Sequence, residues 1–220
     1  VERIVVLGAG GLGREVRDVI DAINCVRPTY EFGGFLDDRV PEAHLLRGAP
    51  HLGPLEALGS IEALFVVGIG DGVVRRGVVE TAERVGQSAP ALVHPSSTVG
   101  SLVAIGDGTV VCSHVSITTN ATICRHVSLN PSCTIGHDAV LEDFVTVLPG
   151  ASVSGNVRLE EGCMVGTNAA IIQGVRVGRE TQIGAGAAVI CDLPAQVTAV
   201  GVPARVLSRR HDQDVGDAGR

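Results

Sequence analysis

Two adjacent residues, His137 and Asp138 in the stretch TIGHD (134–138), are the best suited to chemistry in this chain. Histidine takes up and releases a proton near neutral pH. A neighbouring carboxylate or a backbone carbonyl can fix its tautomer. Gly155 stands eighteen residues further on. Its missing side chain would leave room beside an imidazole and expose a backbone N–H. A base for the proton of an attacking amine or hydroxyl, and an N–H for the developing oxyanion, are what acyl transfer from a thioester requires. The plainer reading is a surface histidine in a turn. Which applies depends on whether the chain returns on itself every eighteen residues.

The second half of the sequence implies that it does. From Val93 to Val189 every sixth residue is Val, Ile or Leu, seventeen times without an insertion. Two positions before each, from Ser97 to Ala187, the residues are restricted to Ser, Thr, Ala, Cys and Val. Residues two apart on a strand point the same way. Each hexapeptide is therefore expected as a short strand with one large and one small inward side chain, followed by a turn rich in Gly, Asn and Asp. This is the signature of a hexapeptide β-helix. Three hexapeptides close one triangular coil, residue n lies under residue n+18, and rungs are about 4.8 Å apart. Such coils bury their faces only by stacking. Cys133 and Cys163 fall on inward small positions, and Cys112 and Cys124 beside inward aliphatics.

A second motif lies near the start: Gly8-Ala9-Gly10-Gly11-Leu12-Gly13 follows an apolar run and precedes a helical pattern. G-x-G-x-x-G in that context binds a dinucleotide phosphate at a helix N-terminus. The plainer account is a tight turn with close helix packing. Strands are expected at 3–8, near 31–36 and at 63–70, with helices at 12–24 and about 72–86, then a last short strand, PALVH, leading into the solenoid. Such alternation predicts a parallel sheet with its ligand site at the strands' carboxyl ends. About ninety residues supply only one mononucleotide half, so a single nucleotide fits better than a nicotinamide dinucleotide. The expected organisation is a Rossmann-like α/β half-domain over 1–91, a β-helix over 92–195, and a cap and tail over 196–220. Residues 209–220 read as a polar tail.

Composition narrows the partners. The net charge of −7 argues against a nucleic-acid surface. Aromatics are 2% of the chain, so the core must be aliphatic. No apolar run reaches membrane-spanning length and no signal peptide is visible. With six cysteines and no CxxC pair, this predicts reduced thiols in a cytoplasmic protein without membrane or nucleic-acid partners. His114, His126 and His137 are not spaced as a zinc triad, so no metal is expected. His94 and His126 read as turn or interface residues.

The pieces LGAGGLGREV, FLDD (35–38), HPSSTVG (94–100), GHDAVLEDF (136–144), IGAGAAV (183–189) and GVPARV (201–206) together resemble one family over about residues 1–207. It is the family of sialic-acid O-acetyltransferases and bacterial nucleotide-aminosugar N-acetyltransferases. The resemblance implies a left-handed solenoid, against the usual crossover hand, and a homotrimer taking acetyl-CoA between neighbouring solenoids. It implies His137 as general base, Asp138 raising its basicity, and Gly155 as oxyanion donor. Asn130 would touch the acceptor sugar, while Gly10, Gly11, Leu12, Asp37 and Asp38 would hold the nucleotide. Thr167 and Ala185 would give backbone contacts to CoA. Thr146 stands where several members carry a second histidine near the thioester. N-acylation of a nucleotide-linked amino sugar is the activity implied; sugar O-acetylation and a non-catalytic nucleotide-binding trimer are the alternatives.

Overall fold

The computed structural model describes residues 1–209. The expected tail, after Arg209, lies outside the described residues. The N-terminal unit is a three-stranded parallel sheet of β1 (Glu2–Leu7), β2 (Tyr30–Leu36) and β3 (Leu64–Val67), in the order β2-β1-β3. Helix α1 (Gly11–Val26) buries Val16, Val19 and Ile20, spaced as one helical face requires, against this sheet. Helix α2 (Gly72–Arg84) packs on the other side and starts at Asp71, whose carboxylate accepts the N–H groups of Val73 and Val74. The β2–β3 connection carries short 3₁₀ turns at Ala43–Leu46 and Leu55–Ser60. Strand β3 is shorter than expected because Gly68 already opens a loop.

The short strand in PALVH leads into the second unit. Leu92–Val93, β4, pairs in parallel with Val110–Val111 and is the first rung of the second unit. That unit is a parallel β-solenoid, the left-handed hexapeptide β-helix. Two-residue strands follow every six residues up to Ala188–Val189, and they form three faces. The register is n to n+18 throughout, as in Ser128 to Thr146, Thr134 to Ser152 and Val140 to Arg158. The first face continues into Val197–Val200, which pairs with the antiparallel Arg205–Arg209.

Every sixth residue from Leu102 to Gly186 has left-handed backbone, so each corner turns alike. Gly accepts this conformation freely and Asn and Asp tolerate it, which explains the turn composition. The interior is a column of aliphatics with Ala and Cys at the small positions. Burial pushes the thiols of Cys112, Cys133 and Cys163 up to about 12, so they are inert at neutral pH.

The corners fall into three columns with different neighbours. The first carries Asn130, Thr167 and Ala185 in its turns, and the second carries His137, Asp138 and Gly155. The third carries His126, Phe144 and Gly162 and receives the N-terminal unit. There Gly72 sits so close to the Phe144 carbonyl that a Cβ would approach it to 2.5 Å. The His126 ring stacks between Phe65 and Phe144, with centroids 6.2 and 5.6 Å away. Arg76 bridges to Glu161 and Glu180, and Arg125 pairs with Glu83. Arg75, 2% exposed, lies at the centre of this joint. Its guanidinium donates to the carbonyls of His126, Ile69, Gly70 and Phe144. Among the described residues no helix is long and apolar enough to cross a membrane.

Candidate functional site

At the carboxyl ends of β1, β2 and β3 lies a cavity of about 490 Å³. Its walls include Gly8, Gly10, Gly11, Leu12, Asp37, Asp38 and Gly70, so the five loop and strand-end residues expected to hold a nucleotide share one site. Helix α1 opens onto it with Gly10 at its N-cap and no side-chain cap. Its first N–H groups are left for a ligand, where the helix dipole favours an anion. The N-terminus of α2, by contrast, is already filled by Asp71.

The loop glycines divide between the two readings of the motif. A Cβ on Gly13 would fall 2.0 Å from the Gly8 carbonyl oxygen, and one on Gly68 would fall 2.3 Å from Cα of Gly13. Those glycines serve helix–strand packing. A Cβ on Gly10 or Gly11 meets nothing within 4 Å. Packing does not require glycine there, and the space stands open to the cavity.

Asp37 buttresses the loop. Its Oδ2 accepts the Ala9 N–H at 2.8 Å and its Oδ1 accepts the Arg39 N–H at 2.9 Å. Asp38 Oδ1 accepts the Leu55 N–H at 3.0 Å, and Asp38 is itself part of the cavity wall.

The second column of corners holds the acid–base pair. His137 Nδ1 lies 2.7 Å from Asp138 Oδ2, and both side chains are about half exposed. Asn120, one coil below, donates its Nδ2–H to the other oxygen of Asp138. The Asn120 hydrogen bond, then that of His137, holds the Asp138 carboxyl below the usual carboxylate range. An ionised Asp138 only accepts, so Nδ1 of His137 carries the hydrogen and Nε2 is left with its lone pair. Nε2 faces the next coil: a Cβ on Gly155 would lie 2.4 Å from it.

The Gly155 N–H has no partner among the described residues. At the equivalent turn position on the third column that donor is captured by a carboxylate in three coils, Arg125 by Asp143, Glu161 by Glu142 and Arg179 by Glu160, whereas the N–H groups of Thr119 and Thr167, like that of Gly155, have no partner among the described residues. Beside His137 no carboxylate fills the place. An unspent N–H next to an unprotonated ring nitrogen can meet an oxyanion while the ring takes a proton.

The remaining expected residues lie elsewhere. Asn130 is buried, with Nδ2 donating to the Val147 carbonyl at 3.0 Å, while Oδ1 accepts nothing among the described residues. Thr167 is half-buried and Ala185 is exposed, one coil apart on the first column. Thr146 is 1% exposed, and its Oγ1 donates to the Gly70 carbonyl at 2.8 Å and accepts from Arg75 at 2.9 Å, inside the joint between the two units.

His126 is also sealed, at 1% exposed, with neither ring nitrogen hydrogen-bonded among the described residues and Nε2 4.0 Å from Glu83 Oε1, so it is not open to a reactant. Among the described residues no group of three or more His, Cys, Asp or Glu could hold a metal ion.

Two contributors escaped the sequence. Asn120 stands eighteen residues before Asp138, and the n+18 rule applied to Asp138 would have found it. Arg75 had no signal, since an Arg-Arg pair on a helix reads as a solvated face.

Comparison with known proteins places this architecture among relatives. Residues 3–82 match the family model described as the PglD N-terminal domain. The chain is 33% identical over 121 residues to the UDP-N-acetylbacillosamine N-acetyltransferase of Bacillus subtilis (strain 168). That match spans 50% of this chain and 51% of that protein, about half the length of the curated relative. The acetyltransferase domain of PglB from Neisseria gonorrhoeae FA1090, in complex with acetyl coenzyme A, superposes with a TM-score of 0.87 at 35% identity, over 94% of this chain and 99% of that one. PerB from Caulobacter crescentus, in complex with CoA and GDP-perosamine, superposes with a TM-score of 0.87 at 28% identity, over 94% and 98%.

Proposed function

Since the chain belongs to the hexapeptide-repeat, left-handed β-helix family of CoA-dependent nucleotide-sugar N-acetyltransferases, we propose that His137 is the general base with which it acetylates an amino group on a nucleotide-linked sugar. The observation that carries this reading is the unspent Gly155 N–H beside Nε2 of an Asp138-oriented imidazole. The amine nitrogen attacks the carbonyl carbon of the acetyl-CoA thioester while Nε2 of His137 takes its proton. The Gly155 N–H receives the oxyanion. Collapse of the tetrahedral intermediate breaks the C–S bond, and the imidazolium returns its proton to the CoA thiolate.

The nucleotide is held at the α1 N-terminus, with its diphosphate over Gly10 and Gly11 and its ribose toward Asp38. The α/β unit over 1–91, the solenoid over 92–195 and the cap from 196 divide the work in this way.

A homotrimer completes the site. The nucleotide cavity and Asn130 lie toward the first and third corners, whereas His137 lies at the second, a strand's length or about 15 Å away. Thr167 and Ala185, where CoA contacts are expected, share the first column. A threefold arrangement sets the first corner of one solenoid against the second corner of its neighbour, so that donor, acceptor and base meet between subunits.

The test is thiol release from acetyl-CoA with UDP-, GDP- and dTDP-linked 4-amino sugars, each beside its 4-hydroxyl counterpart. We expect turnover with one of the amines and a loss of about 10²–10⁴-fold in His137→Ala. Wild-type turnover by His137→Ala overturns the role of His137. Preference for the hydroxyl acceptors overturns N-acetylation.

A further inference from the structure

The joint between the two units makes more contacts to the nucleotide cavity than docking alone requires. The loop Gly68-Ile69-Gly70 is one wall of that cavity. Gly68 is fixed from the sheet side, by its N–H to the Leu7 carbonyl and by its contact with Gly13. The next two peptides are held by Thr146 of the solenoid and by Arg75 of α2, which is itself anchored on solenoid carbonyls. The Gly70 carbonyl accepts from Thr146 Oγ1 at 2.8 Å and from Arg75 Nη1 at 3.0 Å, and the Ile69 carbonyl accepts from the same Nη1 at 2.7 Å. Nη2 of Arg75 meanwhile donates to the Phe144 carbonyl at 2.7 Å and to Thr146 Oγ1 at 2.9 Å, and Nε donates to the His126 carbonyl at 2.9 Å.

We infer that Arg75 and Thr146 are positioning residues, which fix the Ile69–Gly70 wall of the nucleotide cavity to the solenoid coils at 126 and 144–146. Both lone-pair directions of the Gly70 oxygen are used, so its peptide plane has one orientation. A planar guanidinium serves here because it supplies several donors in fixed directions and reaches carbonyls of both units at once. Among the described residues its hydrogen-bond partners are backbone carbonyls and one hydroxyl, with no carboxylate. Such a group clamps backbone on either side of it. The cavity wall is therefore set by the solenoid as much as by its own sheet.

Its significance for catalysis rests on the reading of the cavity as the nucleotide site. The wall's dependence on Thr146 does not, so amide hydrogen exchange is the first measurement. Thr146→Val keeps the shape, removes the donor, and leaves Arg75 its carbonyl partners. We expect exchange at Val73, Val74 and Arg75, whose N–H groups bond Asp71 at the end of this wall, to rise about tenfold, as the loss of one buried hydrogen bond implies, with the solenoid coils and α2 beyond Arg75 unchanged. Thr146→Ser should restore wild-type exchange. Unchanged exchange at 73–75, or an equal rise across the whole of α2 and the solenoid, overturns the inference.

The second measurement is calorimetric titration with UDP and with GDP. The nucleotide that binds the wild type should bind Thr146→Val about tenfold more weakly, and the KM for acetyl-CoA should stay within twofold. Equal nucleotide affinity in the variant overturns the positioning role. If neither UDP nor GDP binds the wild type, dTDP is titrated in their place; if none of the three binds, the proposed function loses its acceptor site, while hydrogen exchange still decides what Thr146 and Arg75 hold.

Discussion

The imidazole of His137 occupies the space that a side chain on Gly155 would need, with Nε2 2.4 Å and Cε1 2.6 Å from where a Cβ would stand. Coils stack at the ordinary strand spacing of about 4.8 Å. A ring on one coil can lie against the backbone of the next only where that backbone carries no side chain.

Gly155→Ala should therefore displace the ring and cover the N–H in one step. We expect kcat to fall about 10²–10³-fold, the scale of losing one oxyanion donor. The KM values should change little, because neither substrate-binding region includes this turn. Steady-state kinetics with each substrate varied in turn checks this.

Asp138 stays ionised wherever a histidine base operates, since Asn120 and His137 both hold its carboxyl below the usual range. Asp138→Asn keeps the shape but presents an amide whose NH₂ can face Nδ1 and select the wrong tautomer. The expected loss in kcat is about 10–10²-fold, smaller than that of His137→Ala. Asn120→Ala removes one partner and should cost less than Asp138→Asn. The ranking of the three kcat values is the readout.

Gly11 and Gly13 should answer oppositely to alanine. At Gly11 a methyl meets nothing within 4 Å and lies within α1, so thermal stability should hold or rise by up to about 1 kcal/mol. Nucleotide affinity should fall at least tenfold as the methyl intrudes on the cavity. At Gly13 the methyl meets the Gly8 carbonyl at 2.0 Å, and a loss of about 2–3 kcal/mol is expected. Denaturant melts and nucleotide titration on both variants separate the packing glycine from the cavity glycine.

His126 should make stability depend on acidity. Burial, then the Arg125 charge, lowers its pKa from 6.5 to about 4; the Glu83 carboxylate opposes this, Arg75 lowers it further and Asp143 raises it. The unfolded chain thus binds a proton at His126 that the folded chain refuses between those values. Stability falls as pH drops from 6.5 toward 4 and does not depend on this group above 6.5. In His126→Leu the slope of Tm against pH across that window should flatten, whatever the absolute Tm. An unchanged slope would show that other groups set the acid sensitivity.

The solenoid was legible because its period is a physical necessity. Inward aliphatics from Val93 to Val189 must recur every six residues for coils to stack, and the n+18 register placed Gly155 over His137 before any coordinates. The cavity was legible as far as its glycines and Asp37 and Asp38. One feature was not. The joint was hidden because Arg75, His126 and Thr146 are ordinary surface types. Their burial comes from one unit docking on the other, a long-range contact with no local period.

The alignment of His137 with Gly155 is set by counted chain length, with no local motif joining them. Inserting or deleting one residue between them would slide Gly155 off the ring and turn the coil's inward side chains outward. A whole duplicated coil beyond Gly155 would lengthen the solenoid and leave the pair facing each other. The site should therefore drift freely in residue identity over most of that coil yet admit no change in its length, while the solenoid beyond it can change in units of eighteen.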